Sequence, residues 1–179
     1  MKQELAIQRL NELDKTGRYV FLHRDLVKVF HEDSARALTD SLARLVKSKI
    51  VERVARGVYV YALSRHTHAS DTLDLIAIAL RRGEYNYVSL ESALSSYGVI
   101  SQIPMDRLTV MTTGVKGEYK TPYGVIEFTH TKRAVRDILD HVVQVDRPLR
   151  VALKNTALRD LKRVGRNTHL IDMEAINDD

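Results

Sequence analysis

Ser34-Ala35-Arg36-Ala37-Leu38-Thr39-Asp40-Ser41-Leu42-Ala43-Arg44-Leu45-Val46-Lys47-Ser48 decides the fold of the first half of the chain. Ala35, Leu38, Leu42, Leu45 and Val46 recur at three- and four-residue spacing, the pattern of a helix with one buried face. Ser34 precedes them as a candidate N-cap, because its hydroxyl can accept from a free amide of the first turn. At about 100° per residue, Arg36, Ala37, Asp40, Ala43, Arg44 and Lys47 fall in the opposite sector, with Thr39 at its margin.

Directly after this helix the period changes to two. Ile50-Val51-Glu52-Arg53-Val54 and Gly57-Val58-Tyr59-Val60-Tyr61 read as two strands joined at Ala55-Arg56, a hairpin with glycine at the return. Upstream, Lys2 to Lys15 reads as a helix stopped by Gly17, and Tyr19-Val20-Phe21 as a short extended piece. A second helix from Leu22 to Phe30 and a tight turn at His31-Glu32-Asp33 lead into the third. The order of helix, helix, turn, helix and hairpin predicts a winged helix-turn-helix over residues 1–66. The polar run Ser64 to Ser70 is the candidate linker, and residues 67–179 form the second domain.

That second domain reads as mixed α+β, so the whole chain is α+β. A helix from Asp71 or Thr72 to Arg82 ends at Gly83, and Ser89 caps a short helix that runs to Tyr97. Leu108–Met111, Gly117–Lys120 and Gly124–His130 read as strands. Lys132 to His141 and Arg147 to Val164 read as helices, and Thr168 to Ile176 as a last short element.

Charge is distributed in blocks. Residues 1–66 carry 13 basic against 8 acidic side chains, and residues 132–166 carry 10 against 4. The segment between them is slightly acidic, and residues 167–179 carry only acids. Two basic blocks and a pI near 9.4 favour a polyanionic partner. The absence of cysteine excludes disulfides, thiolate zinc, iron–sulfur clusters and cysteine nucleophiles. No signal-peptide core follows Met1, and the longest apolar run, Leu75 to Leu80, is far below the ~20 residues of a membrane span. A soluble, cytoplasmic protein is expected.

The chemistry follows from these elements. On the third helix, Arg36 and Arg44 suit bidentate contacts to guanine, and Ala43 permits close approach to a groove. Thr39 suits a phosphate or a thymine methyl. Asp40 fits less easily, because phosphates repel it unless it accepts from a cytosine amine or orients an arginine. Lys47 extends the cationic stripe, and Ser34 with the free amides behind it suits a phosphate. Arg24, Arg53 and Arg56 supply backbone contacts from the second helix and the hairpin. The same charges also fit a solvated helix face, and a winged helix also serves as a protein-docking module.

In the second domain, Lys132, Arg133, Arg136, Arg150, Lys154, Arg159, Lys162 and Arg163 form a second basic surface. It suits flanking DNA, RNA, an acidic protein or plain solvent. No catalytic constellation stands out. His23, His31, His66, His68, His130, His141 and His169 are scattered, Gly114-Val115-Lys116-Gly117 is too short for a phosphate loop, and no Gly-x-Ser-x-Gly surrounds Ser89. Neither catalysis, nor a metal, nor a cofactor is expected.

Several segments resemble a known family. Leu42 to Ile50 and Arg53 to Tyr59 are similar to the recognition helix and wing of AbiEi-type antitoxins and their regulator relatives. Tyr87-Val88-Ser89-Leu90-Glu91-Ser92-Ala93-Leu94 and its continuation to Ile100 resemble that family's second-domain helix. Leu108 to Gly114 and Thr121 to Phe128 continue the resemblance, which covers about residues 20–131. It implies an antitoxin that represses its own operon through inverted repeats in the promoter. It further implies a functional partner toxin of the nucleotidyltransferase type, and two or more copies on the DNA. The helix from Arg36 to Lys47 and the wing at Arg56 would then read DNA. The alternative is a protein-interaction module that sequesters a toxin directly.

Overall fold

The computed structural model describes residues 1–67, 71–101, 106–172 and 175–176. The chain is α+β, with seven α-helices and two sheets among the described residues. It divides into two compact units, Met1–Leu80 and Arg81–Asp179. No described helix is long and apolar enough to cross a membrane.

The first unit runs α1 (Gln3–Lys15), β1 (Val20–Leu22), α2 (His23–Val29), α3 (Ala35–Lys47), β2 (Val51–Ala55), β3 (Val58–Tyr61) and α4 (Thr72–Leu80). Its sheet is antiparallel in the order β1-β3-β2. The core gathers Ala6 and Leu10 of α1, Phe21 of β1, Leu26 of α2 and Leu38, Leu42 and Leu45 of α3, all buried. Burial of each such leucine contributes about 1.5–3 kcal/mol, which outweighs the weak intrinsic helicity of elements only 7 to 13 residues long. The buried face of α3 differs from expectation at two positions: Ala35 at its start is exposed, while Ser41 in its middle is buried.

The helix α3 stops in a hydrogen-bonded cap. Lys49 N–H donates to the Val46 carbonyl at 3.0 Å, and Ile50 N–H to Leu45 at 3.0 Å. This cap requires the left-handed backbone that Lys49 adopts, with φ 57°. The buried Ile50 follows it at once and begins the approach to β2.

The domain boundary expected after residue 66 lies instead after Leu80. Every residue of β3, Val58-Tyr59-Val60-Tyr61, is buried, so the strand is covered on both faces. The helix α4 packs against β1 and β3 and provides part of that cover. Tyr19 Oη and Thr72 Oγ1 share a buried hydrogen bond of 3.0 Å. The expected linker is also partly bound: Ser64 Oγ donates to the buried Asp14 of α1.

The second unit comprises β4 (Asn86–Val88), α5 (Leu90–Ser96), β5 (Arg107–Thr112), β6 (Gly117–Thr121), β7 (Gly124–His130), α6 (Val135–Leu139), β8 (Val142–Val143), β9 (Arg150–Ala152) and α7 (Lys154–Val164). A 3₁₀ turn, Thr168–Leu170, follows. Six strands form one mixed sheet in the order β6-β7-β5-β4-β9-β8, with β5/β7 and β4/β9 parallel. The helices α5 and α7 pack on each other.

Three expectations are corrected here. Residues 147–153 are not the start of a helix, because Leu149, Val151 and Ala152 are buried on and beside β9. Residues 132–141 contain only the short α6. The hydroxyl of Ser89 does not cap α5, because it donates to Asp160 at 2.8 Å. The cap comes from β5: Thr109 Oγ1 accepts from the Ser92 amide at 3.0 Å and donates to the Ser89 carbonyl at 2.6 Å. Leu90, fully buried at φ 56°, makes the sharp turn from strand to helix.

Candidate nucleic-acid interface

The outer face of α3 is what its sequence dictates. With Leu38, Leu42 and Leu45 drawn inward, Arg36, Thr39, Asp40, Ala43, Arg44 and Lys47 are all exposed. Arg36, Asp40, Ala43, Arg44 and Lys47 stand at i, i+4, i+7, i+8 and i+11, one continuous stripe. Arg36 and Lys47 have no counter-ion among the described residues. Arg44 Nη2 donates to the buried Ser41 Oγ at 2.9 Å, which holds the guanidinium along the helix instead of against an acid. Thr39 Oγ1 donates back to the Ala35 carbonyl at 2.9 Å, so its hydroxyl keeps only acceptor capacity for a ligand. At the start, Ser34 Oγ accepts from the Ala37 amide at 3.2 Å.

The hairpin turn at Arg56-Gly57 meets the start of α2, just ahead of Arg24. Ala55 and Val58 are paired, so Arg56-Gly57 is a two-residue turn, one position later than the sequence suggested. Gly57 takes φ 75°, which the turn requires of it. Its carbonyl accepts from the His23 amide at 2.8 Å, and His23 immediately precedes Arg24 at the start of α2. Asp25 fixes that start by accepting from the Leu22 amide at 2.9 Å. Arg24, Arg53 and Arg56 are exposed and carry no ion pair among the described residues.

The eight residues of the expected second basic surface divide. Arg159, Lys162 and Arg163 project from the outer face of α7, and Lys132, Arg136 and Arg150 are also exposed. Arg133 is not part of that surface. Its guanidinium lies 2.7 Å from the fully buried Asp160 carboxylate and 3.7 Å from Asp137. Tyr87 Oη and Ser89 Oγ also donate to Asp160, at 3.3 and 2.8 Å. Burial, then the charge of Asp160, push the Tyr87 hydroxyl well above the ordinary tyrosine range. Lys154 is half-buried, its ammonium 3.4 Å from the Ala175 carbonyl.

Three of the histidines have separate partners. His66 stacks on Tyr19 at 5.6 Å, His130 Nδ1 lies 2.8 Å from the Gly114 carbonyl, and His141 Nδ1 lies 2.7 Å from the Asp137 carbonyl. His68 lies outside the described residues.

A profile described as a family of unknown function, DUF6088, matches residues 6–170. The chain belongs to DUF6088. No curated protein matches the sequence. Among solved structures, this DUF6088 chain is similar to the RV2827C protein from Mycobacterium tuberculosis, with a TM-score of 0.51 and 14% sequence identity. The similarity covers 76% of this chain and 48% of that one, so the DUF6088 chain spans about half the length of its structural neighbour. At that identity the likeness is one of fold.

A clamp that no sequence motif signals positions the start of α3 in this DUF6088 chain. Arg9 of α1 donates to the Val29 carbonyl at 2.7 Å and to both carboxylate oxygens of Glu32, at 2.8 and 2.5 Å. The guanidinium therefore fastens the α2–α3 turn onto α1. Its hydrogen bonds hold the Glu32 carboxyl down to about 2, well below the ordinary carboxylate range. A bidentate pair 23 residues apart leaves no periodic trace in a sequence.

Proposed function

We propose that residues 1–66 act as a winged helix-turn-helix that binds duplex DNA, and that the chain represses transcription from a promoter carrying inverted repeats. The observation that carries this reading is the outer stripe of α3, where Arg36, Arg44 and Lys47 face solvent without an acidic partner. Such a stripe suits the major groove, whose guanines offer paired acceptors to arginine. The adjoining Arg24 and Arg56 suit phosphates or the minor groove. The element order α1–β1–α2–α3–β2–β3 supports the reading, and the exposed Arg159, Lys162 and Arg163 add a second polyanion-seeking face. The resemblance of residues 20–131 to AbiEi-type proteins supports the further step: an antitoxin whose functional partner is a nucleotidyltransferase-type toxin. The proposed chemistry is binding alone.

The test is selection of duplexes from a randomised library by the full chain, followed by anisotropy titrations across salt. The expected outcome is an enriched motif repeated in inverted orientation, with affinity falling steeply as salt rises. Arg36→Ala and Arg44→Ala each reduce specific binding by about 1–3 kcal/mol. Arg56→Ala weakens all duplexes alike. Failure to enrich any motif, together with salt-independent behaviour, refutes the DNA reading. Rescue of growth on co-expression with the toxin encoded by an adjacent gene tests the antitoxin step separately.

One observation favours the alternative of a protein-interaction module in the second unit. Val135 and Leu139 of α6, Val143 of β8, Val145 and Leu153 are all exposed apolar side chains within one short stretch of chain, and α6 packs on β8. A stoichiometric complex with a toxin, lost on Leu139→Asp but retained in Arg36→Ala, would select that reading.

A further inference from the structure

We infer that Asp40 is a specificity-determining residue that reads a cytosine in the major groove, so that each half-site carries a C·G pair at one fixed position. This rests on the DNA-binding reading above and goes beyond it by naming a base. Asp40 is not at the edge of the cationic face. It stands in the stripe itself, one turn after Arg36 and one turn before Arg44. No rotation of α3 that presents both arginines to a groove removes the carboxylate from it.

Nor is the carboxylate neutralised within the protein. Asp40 is exposed and has no ion pair among the described residues, although two arginines lie at i−4 and i+4. Arg44 is instead held by the Ser41 hydroxyl at 2.9 Å. Three residues on, Ala43 is exposed and lets the helix approach the groove floor closely.

The chemistry of the floor then selects the base. An ionised carboxylate only accepts hydrogen bonds. Guanine O6 and N7 and thymine O4 are acceptors and repel it. Cytosine N4 and adenine N6 are donors, but adenine sets its N7 acceptor beside the amine, against the second carboxylate oxygen. Cytosine has no acceptor on that edge. Among phosphates that repel it, the carboxylate is tolerated where it gains this one hydrogen bond.

The experiment is selection from a randomised duplex library with the wild-type chain, Asp40→Asn and Asp40→Ala, with thermal melts to verify that these exposed substitutions leave the fold intact. The wild-type motif is expected to hold one C·G pair per half-site that Asp40→Ala no longer selects, while the other positions persist. Asp40→Asn is expected to shift that position towards A·T, because an amide matches adenine N6 and N7. Discrimination at that pair falls roughly 5- to 150-fold in Asp40→Ala. In the same variant, affinity for unrelated duplexes rises because a repulsive charge is gone. A duplex carrying 2-pyrimidinone, which lacks the N4 amine, in place of that cytosine costs the wild type its preference and costs Asp40→Ala nothing. An unchanged motif in Asp40→Ala, with the wild type still selecting sequence, overturns the inference and leaves the DNA reading intact. A wild-type chain that selects no sequence overturns both.

Discussion

Arginine has two opposite fates in this molecule. In the first, Arg24, Arg36, Arg53 and Arg56 reach solvent without an ion pair among the described residues. In the second, Arg133 lies against the buried Asp160, Arg107 bridges Glu118 and Glu127 at 2.9 Å each, and Arg166 is held by Glu91 and Glu127. The same side chain acts as a free charge in one place and as an internal strut in the other. Net charge therefore misleads about function until partners are known. Within the basic C-terminal block Arg133 and Arg166 brace the fold, whereas the exposed cations of α2, α3 and the hairpin make no ion pair among the described residues.

The largest test of this contrast removes a strut. Asp160→Ala leaves the Arg133 guanidinium in the interior without its main counter-ion, one nitrogen of which, Nη1, already lacks a hydrogen-bond partner among the described residues. A loss of about 3–5 kcal/mol is expected in urea denaturation, since a buried charge without its partner is strongly unfavourable. If the loss were below about 1 kcal/mol, Arg133 would belong with the free charges after all.

Arg36→Ala is the counterpart. Its expected effect on stability is within about 0.5 kcal/mol, as for most surface substitutions. Its effect on specific DNA affinity is the 1–3 kcal/mol stated above. A destabilised Arg36→Ala protein would blur the comparison. A smaller effect comes from Lys49, which holds a left-handed conformation that glycine tolerates better. Lys49→Gly should raise stability by up to about 1 kcal/mol in thermal melts.

Glu32 and Arg9 form the intermediate case, an exposed pair with a positional role. The folded carboxyl titrates at about 2, below its ordinary value. Its contribution to stability is therefore fully present above the unfolded value and is lost as pH falls through about 2. The expected change is small, because solvent screens the pair. NMR titration of Glu32 should show the depressed midpoint in the wild type and an ordinary one in Arg9→Ala.

Legibility followed the range of the interactions. The helix α3 was readable because its burial pattern and its stop lie within fifteen residues. The hairpin was readable from alternation and Gly57, and β5, β6 and β7 from their glycine punctuation. The membership of α4 was harder, because periodicity reveals a helix but not what it covers. The clue was the unbroken apolar run Val58 to Tyr61, too apolar for a strand with one wet face. The strands β8 and β9 were missed because two or three residues give no period, and β9 is defined by its parallel pairing with the distant β4. The outer face of α3 needed only helix geometry to find. Arg133 was misassigned because its partner is 27 residues away, and a sequence shows a charge without its company.

The segment after α7 is fastened more firmly than its position near the end of the chain suggests. Arg166 and Asn167 both bond the buried Glu91, and the Asp172 amide donates to the Val99 carbonyl at 2.9 Å. Truncation just past the last long helix would strand Glu91 as a bare anion inside the protein. Shortened versions of this polypeptide are better ended beyond Asp172 than at Gly165.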